Sequence, residues 1–232
     1  MVDLSHAENQ IRCVKNFQEL VNTPFKDEVN ALCWTRELIG DFSEIIEKIS
    51  LDENMAEIDQ DELLGLDLSA QGQLARDILL NDMKVLTAHG GSPILNMIKY
   101  YERDDAYPPF PTDVYSYHVD RSPIPVDTFL CTYYGAASEI MANAQAEQKI
   151  LVPEIRAELK KLYDGVDEGF ESFLTEFFFD LHYQVKPNAQ PTNLGVGNLW
   201  RLAVDHPESL VQPCVHRAPV EKKGEHRLLL IC

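Results

Sequence analysis

The sequence predicts an α+β protein, a sandwich or jelly roll of short strands that carries helices on its outside. Two observations lead there. The first ninety or so residues place apolar side chains at helical spacing, and from Pro108 onward the chain turns to prolines, aromatics and short β-rich runs. The expected layout is a mainly helical N-terminal region over residues 1–94, packing on a jelly-roll core over residues 95–232 that carries a helical insertion at about 151–182. With 232 residues, 45% hydrophobic and 25% charged, the chain has ample core for one elaborated domain.

In order along the chain, Thr35 to Ile49 sets Leu38, Phe42, Ile45, Ile46 and Ile49 on one helical stripe. The acidic stretch Asp52 to Glu62 reads as a solvated connection. A second helical pattern runs from Ser69 to His89 through Leu74, Ile78, Leu79, Val85 and Leu86, and stops at Gly90, Gly91 and Pro93. The β region is expected to begin between Ile94 and Val114. Pro153 suits the first turn of a helix continuing to Tyr163, and Phe170 to Phe179 repeats the helical pattern. Strand-like runs return at Val196 to Val204, Ser209 to His216 and His226 to Ile231.

The chemistry-bearing residues are His118 and Asp120, followed much later by His216 and Arg227. In an extended strand positions 118 and 120 project from one side, at a separation that a metal ion can bridge. Two imidazoles and a carboxylate make the facial triad of non-haem Fe(II) oxygenases, which leaves coordination positions free for a cosubstrate and dioxygen. With 7 His among 232 residues, about 0.5 His-x-Asp pairs arise by chance, so the surrounding residues carry the weight. Arg227 stands at the head of the apolar run Leu228, Leu229, Leu230, Ile231, where a guanidinium must snorkel, pair or bind an anion. Its planar fork suits a carboxylate.

The His-x-Asp pair, the strand Val126 to Gly135, and then His216-Arg217-Ala218-Pro219-Val220 with Arg227 eleven residues after the distal histidine together resemble the Fe(II)/2-oxoglutarate-dependent dioxygenase superfamily. Cys131-Thr132-Tyr133, His216 to Pro219 and the upstream Asn30-Ala31-Leu32-Cys33-Trp34 more narrowly resemble an uncharacterised bacterial domain family to which no reaction is assigned. The superfamily resemblance covers residues from about 95 to the end, the narrower one most of the chain. It implies a double-stranded β-helix, with Fe(II) held by His118, Asp120 and His216, and 2-oxoglutarate gripped at its far carboxylate by Arg227. Tyr107, Tyr115, Tyr117 and Tyr133 are the tyrosines that could add a hydroxyl there, and Tyr133 is taken as the cofactor-binding one. The spacing of 96 positions from Asp120 to His216 implies an insertion, and Ala136-Ala137-Ser138-Glu139 stands where many oxygenases have a Gly-Gly-x-Thr turn.

Composition narrows the partners. A formal net charge of −18 opposes approach to a polyanion, so nucleic acid is not an expected substrate; a small molecule or a peptide is. The N-terminus has neither a basic start nor an apolar stretch, no run of about 18 apolar residues occurs, and cysteines 13, 33, 131, 214 and 232 form no close pair. A cytoplasmic protein with reduced thiols, away from membranes, is the expectation. Other constellations fail on geometry. Ser116, His118 and Asp120 on one strand line up instead of converging as a hydrolase triad, and Gly195-Val196-Gly197 lacks the third glycine of a dinucleotide loop. His182, His206 and His226 read as surface or structural. Two alternatives stay open: a cupin-type metal enzyme that does not use 2-oxoglutarate, and a non-catalytic metal- or ligand-binding jelly roll.

Overall fold

The computed structural model describes residue 7 and residues 9–104, 106–107, 110–222 and 224–232. In chain order it contains β1 (Ile11–Val14), α1 (Phe17–Asn22), β2 (Ala31–Trp34), α2 (Phe42–Lys48), β3 (Met55–Ile58), α3 (Gln60–Gly65), α4 (Ala70–Ala88), β4 (Ile94–Ile98) and β5 (Asp127–Tyr134). Then follow β6 (Glu139–Ile140), β7 (Ala146–Gln148), α5 (Pro153–Lys161), α6 (Phe170–Glu176), β8 (Tyr183–Val185), β9 (Thr192–Asn193), β10 (Leu199–Ala203), β11 (His216–Arg217) and β12 (Arg227–Ile231). The protein is α+β, built on a large, mostly antiparallel sheet in the order β1-β2-β10-β5-β12-β4-β3.

A small sheet, β11-β6-β9, faces it. His118 extends that sheet through bridges to His216 on one side and His182 on the other. Four pairings nest within one another: β4 with β12, residue 118 with β11, β5 with β10, and β6 with β9. They describe a two-stranded ribbon that passes alternately through the large and the small sheet and turns back between β6 and β9. The insertion with α5 and α6 sits at that turn and buries its own apolar group, including Phe110, Leu159, Phe170, Phe173 and Phe179.

The two faces of the large sheet are sorted by strand alternation. Leu32, Leu95, Met97, Cys131, Tyr133, Leu228 and Leu230 pack under Phe42, Ile45 and Ile46 of α2 and Ala75, Leu79 and Leu86 of α4. Ile98, Leu130, Trp200, Leu202 and Leu229 point the other way, onto Ile140 and Cys214 of the small-sheet side. Burying such side chains contributes roughly 1.5–3 kcal/mol each. The interior between the sheets is therefore closed by apolar residues, and any polar group within it needs a reason.

Several expectations need adjusting. Residues 1–94 supply helices as expected, but also β1, β2 and β3, which add to both edges of the large sheet. The Asp52–Glu62 stretch is not a plain connection: it contains β3 paired to β4, with Ile58 buried and Met55 exposed. The helix expected from Thr35 begins only at Phe42, where the Asp41 side chain accepts the Ser43 and Glu44 N–H groups at 3.0 and 3.2 Å. Gly40, at a φ of 100°, turns the chain just before that cap. Helix α4 begins one residue after Ser69, its cap, as the pattern required. No helix among the described residues is long and apolar enough to cross a membrane. All five cysteines are free.

Candidate metal centre

Residues Tyr117 to Asp120 run extended beside β11, and alternation divides them. Tyr117 and Val119 pack outward with Met141 and Val215, so His118 and Asp120 face the interior. His216 is the cross-strand partner of Ile140 and lies two residues from Cys214, both interior residues, and therefore shares that face. One ligand atom from each of His118, Asp120 and His216 lies within 4.8 Å of the others. The two imidazole centroids are 4.6 Å apart, and His216 Nε2 is 3.8 Å from Asp120 Oδ2.

The outer hydrogen bonds orient all three. His118 Nδ1 lies 2.7 Å from the Ser116 carbonyl and His216 Nδ1 lies 3.1 Å from that of Cys214. A carbonyl only accepts, so each Nδ1 carries the proton and each Nε2 presents its lone pair inward. The Thr128 hydroxyl donates to Asp120 Oδ2 and fixes the carboxylate. Burial and the neighbouring His216 push the His118 pKa down to about 4. Burial alone would raise the Asp120 pKa, but His216, the Thr128 hydroxyl and His118 outweigh it and hold the carboxyl below its usual range. A neutral His118 beside an ionised Asp120 has the protonation states in which such groups bind a divalent cation.

Arg227 is 1% exposed and shares the interior face of β12 with Leu229. One of its nitrogens donates to the Ser138 and Thr132 hydroxyls at 2.7 and 3.2 Å, whereas Nε and Nη1 are buried without a partner. Burial pulls the guanidinium pKa down, and the fields of Tyr101, Glu221 and Tyr115 oppose it. A buried guanidinium with two unused donors and, among the described residues, no carboxylate on it is costly, several kcal/mol before compensation.

Tyr133 is the correction within the site. It was expected to assist Arg227, but its ring stacks on Phe42 among the helix-side residues and its hydroxyl donates to Asp82 at 2.6 Å. β12 advances one residue against two on β5 at this point, and Tyr133 is the one left over. Ordinary alternation keeps Tyr133 on the helix-side face with Phe129 and Cys131 and puts its neighbour Thr132, which contacts Arg227, on the opposite one. The tyrosines in the electrical neighbourhood of Arg227 are Tyr101 and Tyr115.

Sequence reasoning also passed over His182. It is 4% exposed, its ring centroid lies 5.7 Å from that of His118, and its Nδ1 has no partner. Burial, His118 and Lys149 push its pKa down to about 3. The Leu181-His182-Tyr183 run was the available signal, but nothing in it distinguishes a site residue from a core one. A cleft of about 740 Å³ opens onto His118, Asp120 and His182 between Pro123, Phe178, Leu181 and Pro207. At this cleft Arg121 pairs with Asp180 and Asp205 at 2.7 and 2.9 Å. Searches against family models, curated proteins and solved structures find no match to this chain.

Proposed function

We propose that the protein is an Fe(II)- and 2-oxoglutarate-dependent oxygenase on a double-stranded β-helix, acting on a small molecule or a peptide. The observation that carries the reading is the buried guanidinium of Arg227, without a carboxylate partner among the described residues and on the interior face of β12, the side toward which His118, Asp120 and His216 also turn. The nested ribbon of four strand pairs supports the architecture, because winding a hairpin between two facing sheets is how a double-stranded β-helix is made. The residues fit the cofactors: two imidazole nitrogens and a carboxylate suit a divalent first-row ion, and the two unused donors of Arg227 suit a carboxylate.

In this reading His118, Asp120 and His216 hold the metal, and Arg227 takes the far carboxylate of the cosubstrate. Fe(II) and 2-oxoglutarate supply the oxidation, in which the cosubstrate is decarboxylated to succinate while one oxygen atom of O2 goes to it and the other to the substrate. The chain's own residues do the positioning. Ser116 and Cys214 carbonyls lock the two histidine tautomers, Thr128 holds the aspartate, and Ser138 with Thr132 aims the guanidinium. Pro123, Phe178, Leu181 and Pro207 give the cleft an apolar lining in which a substrate displaces water.

The test is titration of anaerobic Fe(II) protein with 2-oxoglutarate, followed by the visible metal-to-ligand charge-transfer band. His118→Ala should abolish metal binding. Arg227→Ala should keep the metal and weaken 2-oxoglutarate by roughly 30- to 4000-fold, from about 2–5 kcal/mol for a truncated desolvated ion pair, with Arg227→Lys recovering part. Iron binding with no band would favour the cupin-type or non-catalytic alternative. A band indifferent to Arg227→Ala would remove Arg227 from its role.

A further inference from the structure

His182 is a third imidazole at the metal centre, outside the His118, Asp120 and His216 group. Residues 181–183 run antiparallel beside residues 117–119: the Val119 N–H donates to the Leu181 carbonyl at 3.1 Å and the Tyr183 N–H to the Tyr117 carbonyl at 2.8 Å. Leu181 and Tyr183 pack on the outward group of Tyr117, Val119 and Val215, so alternation turns His182 to the inner face. There it stands in a row with His118 and His216, the successive ring centroids being 5.7 and 4.6 Å apart. The backbone fixes it at both ends, because its N–H donates to the Phe179 carbonyl at 3.3 Å and its carbonyl accepts the Lys149 N–H at 2.8 Å.

The cleft limits what this ring can do. His118, Asp120 and His182 line it and His216 does not, so a ligand that reaches the metal centre through the cleft arrives beside His182. Neither ring nitrogen has a hydrogen-bond partner among the described residues, and Nδ1 alone of the two is sealed from solvent. Nε2 is therefore the nitrogen that meets the cleft. A buried N–H without an acceptor is rarer and costlier than a buried lone pair, so the ring keeps its proton on Nε2 and offers a donor there.

We propose that His182 is the hydrogen-bond donor of the metal centre: its Nε2–H binds the acceptor atom of an anionic or oxygen-bearing ligand at the position open to the cleft. The inference rests on the reading of His118, Asp120 and His216 as a metal site and does not require 2-oxoglutarate. Its chemical consequence is selection, since a ligand that still carries lone pairs once on the metal gains the contact and one that does not gains nothing. A hydrogen bond to a charged ligand changes affinity by roughly 10- to 100-fold.

The experiment is titration of the Co(II)-loaded protein with azide and, separately, with imidazole, followed by visible absorption. Azide on the metal still accepts a hydrogen bond, whereas imidazole bound through one nitrogen carries only an N–H at the other. His182→Phe keeps the bulk of the ring, and the shorter His182→Asn amide stops at the level of Nδ1, so both lose the donor at Nε2. Each should weaken azide by roughly 10- to 100-fold and leave Co(II) and imidazole within about twofold of wild type. His182→Gln, whose amide reaches the level of Nε2, should recover most of the azide affinity. Azide constants within about twofold of wild type in both His182→Phe and His182→Asn overturn the proposal. Equal loss of azide and imidazole also overturns it, by marking a packing residue, and so does a wild type that binds Co(II) but no azide. A wild type that holds no Co(II) instead removes the metal centre itself, which tells the two failures apart.

Discussion

Lowering the pH should destabilise the metal-free protein through His118 and His182. Both imidazoles are neutral in the fold, with pKa values pushed to about 4 and about 3 from the ordinary 6.5, chiefly by burial. The unfolded chain takes up those protons as pH falls through 6.5 and the folded chain does not, so stability is full above about 6.5 and falls toward the folded pKa values. At pH 4.5, about two pH units below the ordinary imidazole value, the one proton taken up by each unfolded histidine favours the unfolded chain by about 2.5 kcal/mol. His118 is less enclosed than His182, so its share is discounted, and the pair should cost about 4 kcal/mol between pH 7.5 and 4.5. Against a typical total of about 5–15 kcal/mol that is a large loss. Urea unfolding of chelator-treated wild type and His182→Asn at several pH values in that range isolates the effect, because the carboxylates titrate in both. The stability difference between the two should move by about 2.5 kcal/mol against wild type as pH falls. If it stays constant to within about 0.5 kcal/mol, His182 is not buried neutral and the reasoning fails.

Three further outcomes follow from particular contacts. Thr128→Val removes the hydroxyl on Asp120 without adding bulk and should weaken divalent metal binding by about 10- to 100-fold, measured by competition with a chromophoric chelator, with the fold unchanged. Asp82→Ala strips Arg36 and Tyr133 of their shared carboxylate at a site 1% exposed and should cost about 3–5 kcal/mol in urea unfolding while sparing the metal. Phe178 has φ of 59° and is 58% exposed, whereas Phe179 is 3% exposed. Phe178→Gly should therefore be neutral or slightly stabilising in thermal unfolding, while Phe179→Ala should cost about 3–5 kcal/mol.

The sequence by itself determined what depends on local periodicity. Alternation along an extended strand placed His118 and Asp120 on one side, and Ser69 with the apolar spacing after it marked α4 to within a residue. An arginine heading an apolar terminal run marked a guanidinium that had to snorkel, pair or bind an anion, and the sheet then buried it. Only the tertiary structure decided which residues meet. His216 reaches His118 because β11 pairs beside it, and no spacing specifies that register. Tyr133 faces Asp82 because alternation along β5 sets it on the helix side with Phe129 and Cys131, and only the sheet pairing shows that Arg227 shares the face of Thr132 instead. His182 is brought beside His118 by an isolated bridge at the end of the insertion, which no local pattern announces. The strands β1, β2 and β3 escaped notice because four-residue strands acquire their meaning from the sheet that receives them, and their own alternation is too short to declare it.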